Sequence, residues 1–273
     1  QIMAEDLEAG GARGGDRKAA TSKSNKTFLI VIASLALIAL LKVFFMHGAH
    51  SHLVHEHFEL SKYIVDHGAK IVEQHTGQFE EQGQFYTDLI RERKIKTICE
   101  SGFNAGHSAL TFLEATPETL VYSFDIWAHQ YSNLALKYLS ERYPDRLTVL
   151  RGDTKETINE FNDMHHAVRC DLVHVDGSTH DGMTANDIKN FELMSHCGTT
   201  LIVDGTKCSE SVLEDWNALL EKGIITQEAE HISIREACAD GDLLCDARCA
   251  AWSVGMYTMQ GRCKDGELGP LPP

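Results

Sequence analysis

Five acidic residues stand where short apolar runs give way to polar loops: Glu100, Asp125, Asp153, Asp176 and Asp204. The first lies in Ile98-Cys99-Glu100-Ser101-Gly102-Phe103-Asn104-Ala105-Gly106-His107-Ser108, an apolar stretch followed by two glycines four apart and then a helical pattern. Such a strand–loop–helix presents bare backbone amides at a helix N-terminus, where a ligand can approach the main chain. Asp125, in Phe124-Asp125-Ile126-Trp127, follows at the interval of about 20 residues where a carboxylate can take both hydroxyls of a ribose. The others lie in Arg151-Gly152-Asp153-Thr154, Val175-Asp176-Gly177-Ser178-Thr179-His180 and Val203-Asp204-Gly205-Thr206-Lys207. Helix capping accounts for one such acid. It does not account for five in register.

The elements that would position them alternate. Strands are expected at 97–100, 120–124, 147–150, 172–175 and 200–203, with helices at 106–114, 131–143, 154–161, 183–194 and 209–221. Strand-then-helix units in succession imply a parallel sheet covered on both faces, with ligands beyond the carboxyl ends of the strands. The rhythm then changes: 224–234 and 251–259 read as two strands with no good helix between them, an antiparallel hairpin at one sheet edge.

Ahead of this domain the chain divides differently. Residues 1–26 are polar and read as a disordered tail, with Arg13, Arg17, Lys18, Lys23 and Lys26 toward its end. Residues 27–46 are almost wholly apolar, and roughly 20 such residues span a bilayer as one helix. The bases precede this run, and after Lys42 the next is Lys62, so the tail is expected in the cytosol and the bulk across the membrane. That describes a single-pass, type II signal anchor with its main domain in a lumen, Golgi or endoplasmic reticulum being favoured. Residues 47–90 hold seven of the 15 histidines: His47, His50, His52, His55, His57, His67 and His75. They read as a solvated, pH-sensitive helical stem that packs against or caps the main domain, which is expected to run over 91–263 with a tail at 264–273.

At the strand-end residues the chain resembles the class I S-adenosylmethionine-dependent methyltransferases, most closely their small-molecule and sugar O-methyltransferase group. The resemblance runs from about Thr97 to Trp216. It implies a Rossmann-like seven-stranded sheet, mostly parallel, with an antiparallel closing hairpin. It further implies that Glu100, Gly102 and Gly106 hold the methionine part of S-adenosylmethionine, Asp125 the ribose, and Gly152 with Asp153 the adenine. Asp176 and His180 would be catalytic, and Asp176 with Asp204 would hold a divalent cation such as magnesium. The chain departs from the group's pattern at Gly205, where a ligand Asn or Asp is usual, and at His180, one position later than usual. A nicotinamide-dependent oxidoreductase normally has a tighter three-glycine loop, whereas Gly106 here is followed by His107, Ser108 and Ala109. The expected activity is methylation of a hydroxyl on a sugar, glycan or small molecule. The rival reading keeps the fold and drops the chemistry: a structural subunit of a membrane complex.

A formal charge of −15, from 40 acids against 25 bases, excludes a nucleic-acid partner held through its phosphates. Cys238, Cys245, Cys249 and Cys263 crowd the end of the chain, with Cys208 after the fifth strand. In a lumen, disulfides among the last four would staple the segment between the closing strands. Cys99, Cys170 and Cys197 border strands and are expected as small buried apolar residues.

Overall fold

The computed structural model describes residues 52–180, 182–234 and 249–259. Helix α1 (52–66) leads through a single 3-10 turn, Thr76–Gln78, to α2 (Glu80–Arg93). Then come β1 (Thr97–Ser101), α3 (His107–Ala115), β2 (Leu120–Asp125), α4 (Tyr131–Arg142), β3 (Leu147–Arg151) and α5 (Thr154–Met164). The chain continues with β4 (Cys170–Val175), α6 (Met183–Glu192), β5 (Ser195–Asp204), α7 (Glu210–Glu221), β6 (Ile225–Ile234) and β7 (Cys249–Tyr257). All seven strands form one sheet in the order β3-β2-β1-β4-β5-β7-β6, with β7 antiparallel to both neighbours. The parallel sheet and closing hairpin expected from the sequence are both present.

Alternation along each strand sends successive side chains to opposite faces. Ile98, Leu172 and Ile202 point to one face, where they meet Leu60 and Ile64 of α1, Tyr86 and Ile90 of α2, Leu110 of α3 and Leu139 of α4. Cys99, Val173, Leu201 and Val203 point to the other, against Ile158 and Phe161 of α5, Phe191 of α6 and Trp216 of α7. The register aligns the carboxyl ends: Ser101 lies beside Phe124 and Val175, Asp125 beside Arg151, and Val175 beside Val203. The five acids therefore gather along one edge, at the β1/β4 point where the strand order reverses.

The histidine-rich stem differs from the solvated linker expected. Its apolar residues Leu53, Leu60 and Ile64 recur at helical spacing and are buried, and His57 falls on the same stripe. His57 and His75 are accordingly only 4% and 6% exposed. The compact unit containing α1 begins at His52. Among the described residues no helix is long and apolar enough to cross a membrane. The anchor expected at 27–46 lies outside them, as do the tails at 1–26 and 264–273 and the cysteines Cys238, Cys245 and Cys263.

Cys99 and Cys170 are buried, as expected, but they are not separate apolar residues. Cys99 and Cys170, far apart in sequence but on the adjacent strands β1 and β4, form a disulfide. Cys197 and Cys208 are disulfide-bonded too. Sheet order, which spacing does not reveal, is what brings β1 beside β4.

Candidate functional site

Beyond the strand ends lies a cavity of about 960 Å³ lined by Gly102, Asp125, Asp153, Asp176, His180 and Asp204, among others. Gly102 has φ +97°, and a Cβ there would stand 2.0 Å from the backbone oxygen of Asp176. Only glycine lets the β1 loop touch the end of β4. Gly106, at φ +75°, is the N-cap of α3 and wedges against Leu139 and Phe103. Gly102→Ala is expected to destabilise the fold by about 3 kcal/mol, from overpacking and left-handed backbone strain together. Thermal unfolding measures this; a variant as stable as the parent would refute the contact with Asp176.

Asp125 accepts hydrogen bonds from the backbone amides of Asn104 (2.9 Å) and Trp127 (2.6 Å), which fix its carboxylate at the cavity edge. Asp153 caps α5 by accepting from the Lys155 amide at 2.9 Å, and Thr154 donates to Asp187 at 2.6 Å. Glu100, Gly106 and Gly152, expected to touch the ligand, are not among the residues that line the cavity. Glu100 is fully buried and accepts from Ser108 Oγ at 2.8 Å.

The ends of β4 and β5 carry a network that the sequence did not reveal. Tyr86 Oη and Gln82 Nε2, one turn apart on α2, both donate to Asp204 Oδ1 at 2.8 Å. His174 Nε2 lies 3.2 Å from Asp204 Oδ2, and its Nδ1 is 3.6 Å from Glu100 Oε2. Burial alone would push the His174 imidazole down, but hydrogen bonds to Asp204 and Glu100, with the charges of Asp204 and Asp176, raise it to about 10. Asp176 opens onto the cavity, yet desolvation, then the charge of Asp204, push its carboxyl well above the usual range. His180 sits in the exposed loop beyond, its amide donating to Ser178 Oγ at 3.3 Å. The missed signal was His174 itself, a polar residue inside the apolar run Leu172-Val173-His174-Val175 of a doubly covered strand.

Ligand atoms of His174, Asp176 and Asp204 lie within 4.8 Å of one another, a spacing suited to a metal ion. Their partners do not suit one. Asp204 already accepts from Tyr86, Gln82 and His174, and Gly205 offers no side chain where a third ligand is expected.

A strap between α1 and α2 packs on the segments that follow β1 and β2. Glu73 pairs with His129 at 2.7 Å, Asn104 Nδ2 donates to the Gln74 carbonyl at 3.0 Å, and the His75 ring stacks on His107 with centroids 3.7 Å apart. Behind it runs a buried chain: Thr111 Oγ1 to His57 Nε2 at 3.1 Å, His57 Nδ1 to His107 Nδ1 at 2.9 Å, and His107 Nε2 to Ser61 Oγ at 3.1 Å. Burial lowers His57 and His75 to about 3, His75 also through the charge of His57. Burial and the two neighbouring histidines hold His107 well below its ordinary value.

With this geometry in hand, comparison with known proteins identifies the class of fold. A methyltransferase-domain family model matches residues 99–206. An O-methyltransferase from Bacillus cereus, solved in complex with S-adenosylhomocysteine, superposes with a TM-score of 0.54 at 12% identity, covering 76% of this chain and 90% of that one. TomG from Streptomyces achromogenes, an O-methyltransferase of tomaymycin synthesis solved with S-adenosylmethionine, gives 0.53 at 16% identity over 77% and 89%. The S-adenosylhomocysteine-bound methyltransferase PaMTH1 of Podospora anserina gives 0.52 at 14% identity over 91% and 99%. No curated protein matches the chain. The chain has the class I S-adenosylmethionine-dependent O-methyltransferase-like fold.

Proposed function

We propose that this protein transfers a methyl group from S-adenosylmethionine to a hydroxyl of a sugar, glycan or other small molecule. The observation that carries the reading is the cavity at the β1/β4 switch point, where Gly102, Asp125 and Asp176 converge. When bound, the cofactor supplies an activated methyl group on a sulfonium. Asp125 would take the ribose hydroxyls and Asp153 the adenine end, both from the cavity lining. Asp176 would accept the acceptor's hydroxyl proton as that oxygen bonds to the methyl carbon and sulfur keeps the electron pair of the broken bond. A carboxyl raised above its usual range is a stronger proton acceptor for this task. His180 lines the same cavity and is the second candidate base.

The lining supports a neutral, hydroxylated acceptor. Gln82, Ser178, Thr179 and Ser209 supply neutral polar groups, while Lys155 is the one Lys or Arg of the lining among the described residues. A phosphorylated or carboxylated acceptor would face Asp176 and Asp204 without a compensating base. The disulfide-bonded cysteines support a lumenal, oxidising compartment, and the apolar length of 27–46 is what favours it as the anchor.

The test is calorimetric titration of the full chain in detergent with S-adenosylhomocysteine, beside Asp125→Ala. Micromolar binding, weakened at least about tenfold in the variant through loss of roughly 1.4 kcal/mol or more, supports the enzyme. A folded chain that binds nothing would leave the structural-subunit reading, which Gly205 and the displaced His180 favour.

A further inference from the structure

Asp204 stands at the strand end where the resembled group holds its cation, but its hydrogen-bond partners in this chain are protein donors. Oδ1 accepts from Tyr86 Oη and from Gln82 Nε2, both at 2.8 Å, and Oδ2 faces His174 Nε2 at 3.2 Å. Gln82 also donates to Tyr86 Oη at 2.9 Å, so the two α2 side chains act as one unit. The phenol is fully buried, and its ring packs edge-on against His174, with centroids 5.4 Å apart. A divalent ion needs carboxylate lone pairs and room for several oxygens at little more than 2 Å. Here the lone pairs on the α2 side are in use, and the space beside Oδ1 is filled by a phenol and an amide. The residue following Asp204 is Gly205, which brings no ligand in exchange.

We propose that the acceptor edge of this site works without a divalent cation. Tyr86 and Gln82 are its positioning residues, holding Asp204 where the resembled group would use Asp204 to hold metal. α2 thus becomes part of the site, although it precedes the first strand and lies outside every stretch that carries the resemblance. The inference rests on the proposed transferase reading for its consequence, that methyl transfer is insensitive to chelators. Its structural core, the occupied Asp204, does not depend on that reading.

The test titrates the full chain with Mn²⁺, following free manganese by electron paramagnetic resonance. The parent is measured with and without S-adenosylhomocysteine, beside Asp204→Asn and the double variant Tyr86→Phe/Gln82→Leu. The parent is expected to leave millimolar manganese free, and its affinity for S-adenosylhomocysteine is expected to be the same in chelator and in manganese. The double variant, with Oδ1 released beside Asp176, is expected to bind manganese at least about tenfold more tightly than the parent. A merely structural role for Tyr86 and Gln82 would produce no such gain. Stoichiometric manganese binding by the parent that Asp204→Asn abolishes would overturn the proposal, as would a folded double variant that gains none. Failure of the parent to bind S-adenosylhomocysteine would count against the transferase reading alone, since the manganese results are read independently.

Discussion

Acidification from about pH 7.5 to 5 is expected to cost the protein several kcal/mol of stability and, with it, the packing of residues 74–76 along the cavity. His57, His75 and His107 are neutral in the fold and would titrate near 6.5 in the unfolded chain. Their folded values are depressed, so the unfolded state binds more protons below 6.5, and stability falls with pH across that window. Each imidazole contributes roughly 2 kcal/mol of loss over this range, roughly 6 kcal/mol for three, against a typical total of 5–15. Asp176 works in the opposite sense, because its raised carboxyl binds a proton in the fold before the unfolded chain does, and His174 does the same above pH 6.5. Asp176→Asn removes the first of these opposing contributions. In this variant, urea unfolding at a series of pH values is expected to show a slope approaching three protons, about 4 kcal/mol per pH unit below pH 6. A slope of less than one proton would show that the three rings are not held neutral together. Because His75 and its neighbours Gln74 and Thr76 line the cavity, affinity for S-adenosylhomocysteine should fall in step with stability.

This histidine cluster marks where the sequence stopped being informative. Strand and helix periods in 97–259 were legible because the central strands β1 and β4 are covered on both faces, so apolar runs, glycine loop and strand-end acids fall at fixed intervals. Asp125, Asp153, Asp176 and Asp204 could be placed at one edge from that rhythm alone. The 47–90 segment was not legible in the same way. Leu53, Leu60 and Ile64 showed an apolar stripe, but histidine is neutral enough to be buried and polar enough to be solvated, and spacing does not decide between them. What decides is a partner: His107 for His57, and Asp204 for Tyr86 and Gln82. These partners lie 50 to 122 residues away in the chain. The Cys99–Cys170 pair was hidden for the same reason. Pairing across the sheet depends on strand order, and composition and spacing carry no record of it.

Replacing His174 is expected to have the other large effect, and its pH signature runs the opposite way. The imidazole is fully buried between the carboxylates of Glu100 and Asp204. Without it, Glu100 keeps Ser108, while Asp204 keeps Tyr86 and Gln82, all neutral donors. Removing one partner of a buried ion pair costs about 3–5 kcal/mol, because the remaining charge stays buried. His174→Leu should therefore lose about that much near neutral pH, measured by urea unfolding. His174→Gln, which can still donate to Asp204, should recover part of it. In the parent, the folded value of about 10 lies above the unfolded 6.5. This contribution is thus fully present below pH 6.5 and is lost as pH rises through about 10, by roughly 1.4 kcal/mol per unit. The alkaline slope should vanish in both variants. If either variant keeps the parent's stability and alkaline slope, His174 is not the cation between these acids. Together with the acid-labile histidines behind the glycine loop, a charged His174 leaves the parent most stable just above pH 6.5. One set of imidazoles must stay neutral to hold the strap against α3, while a single imidazole must stay charged to hold Glu100 and Asp204 at the strand ends.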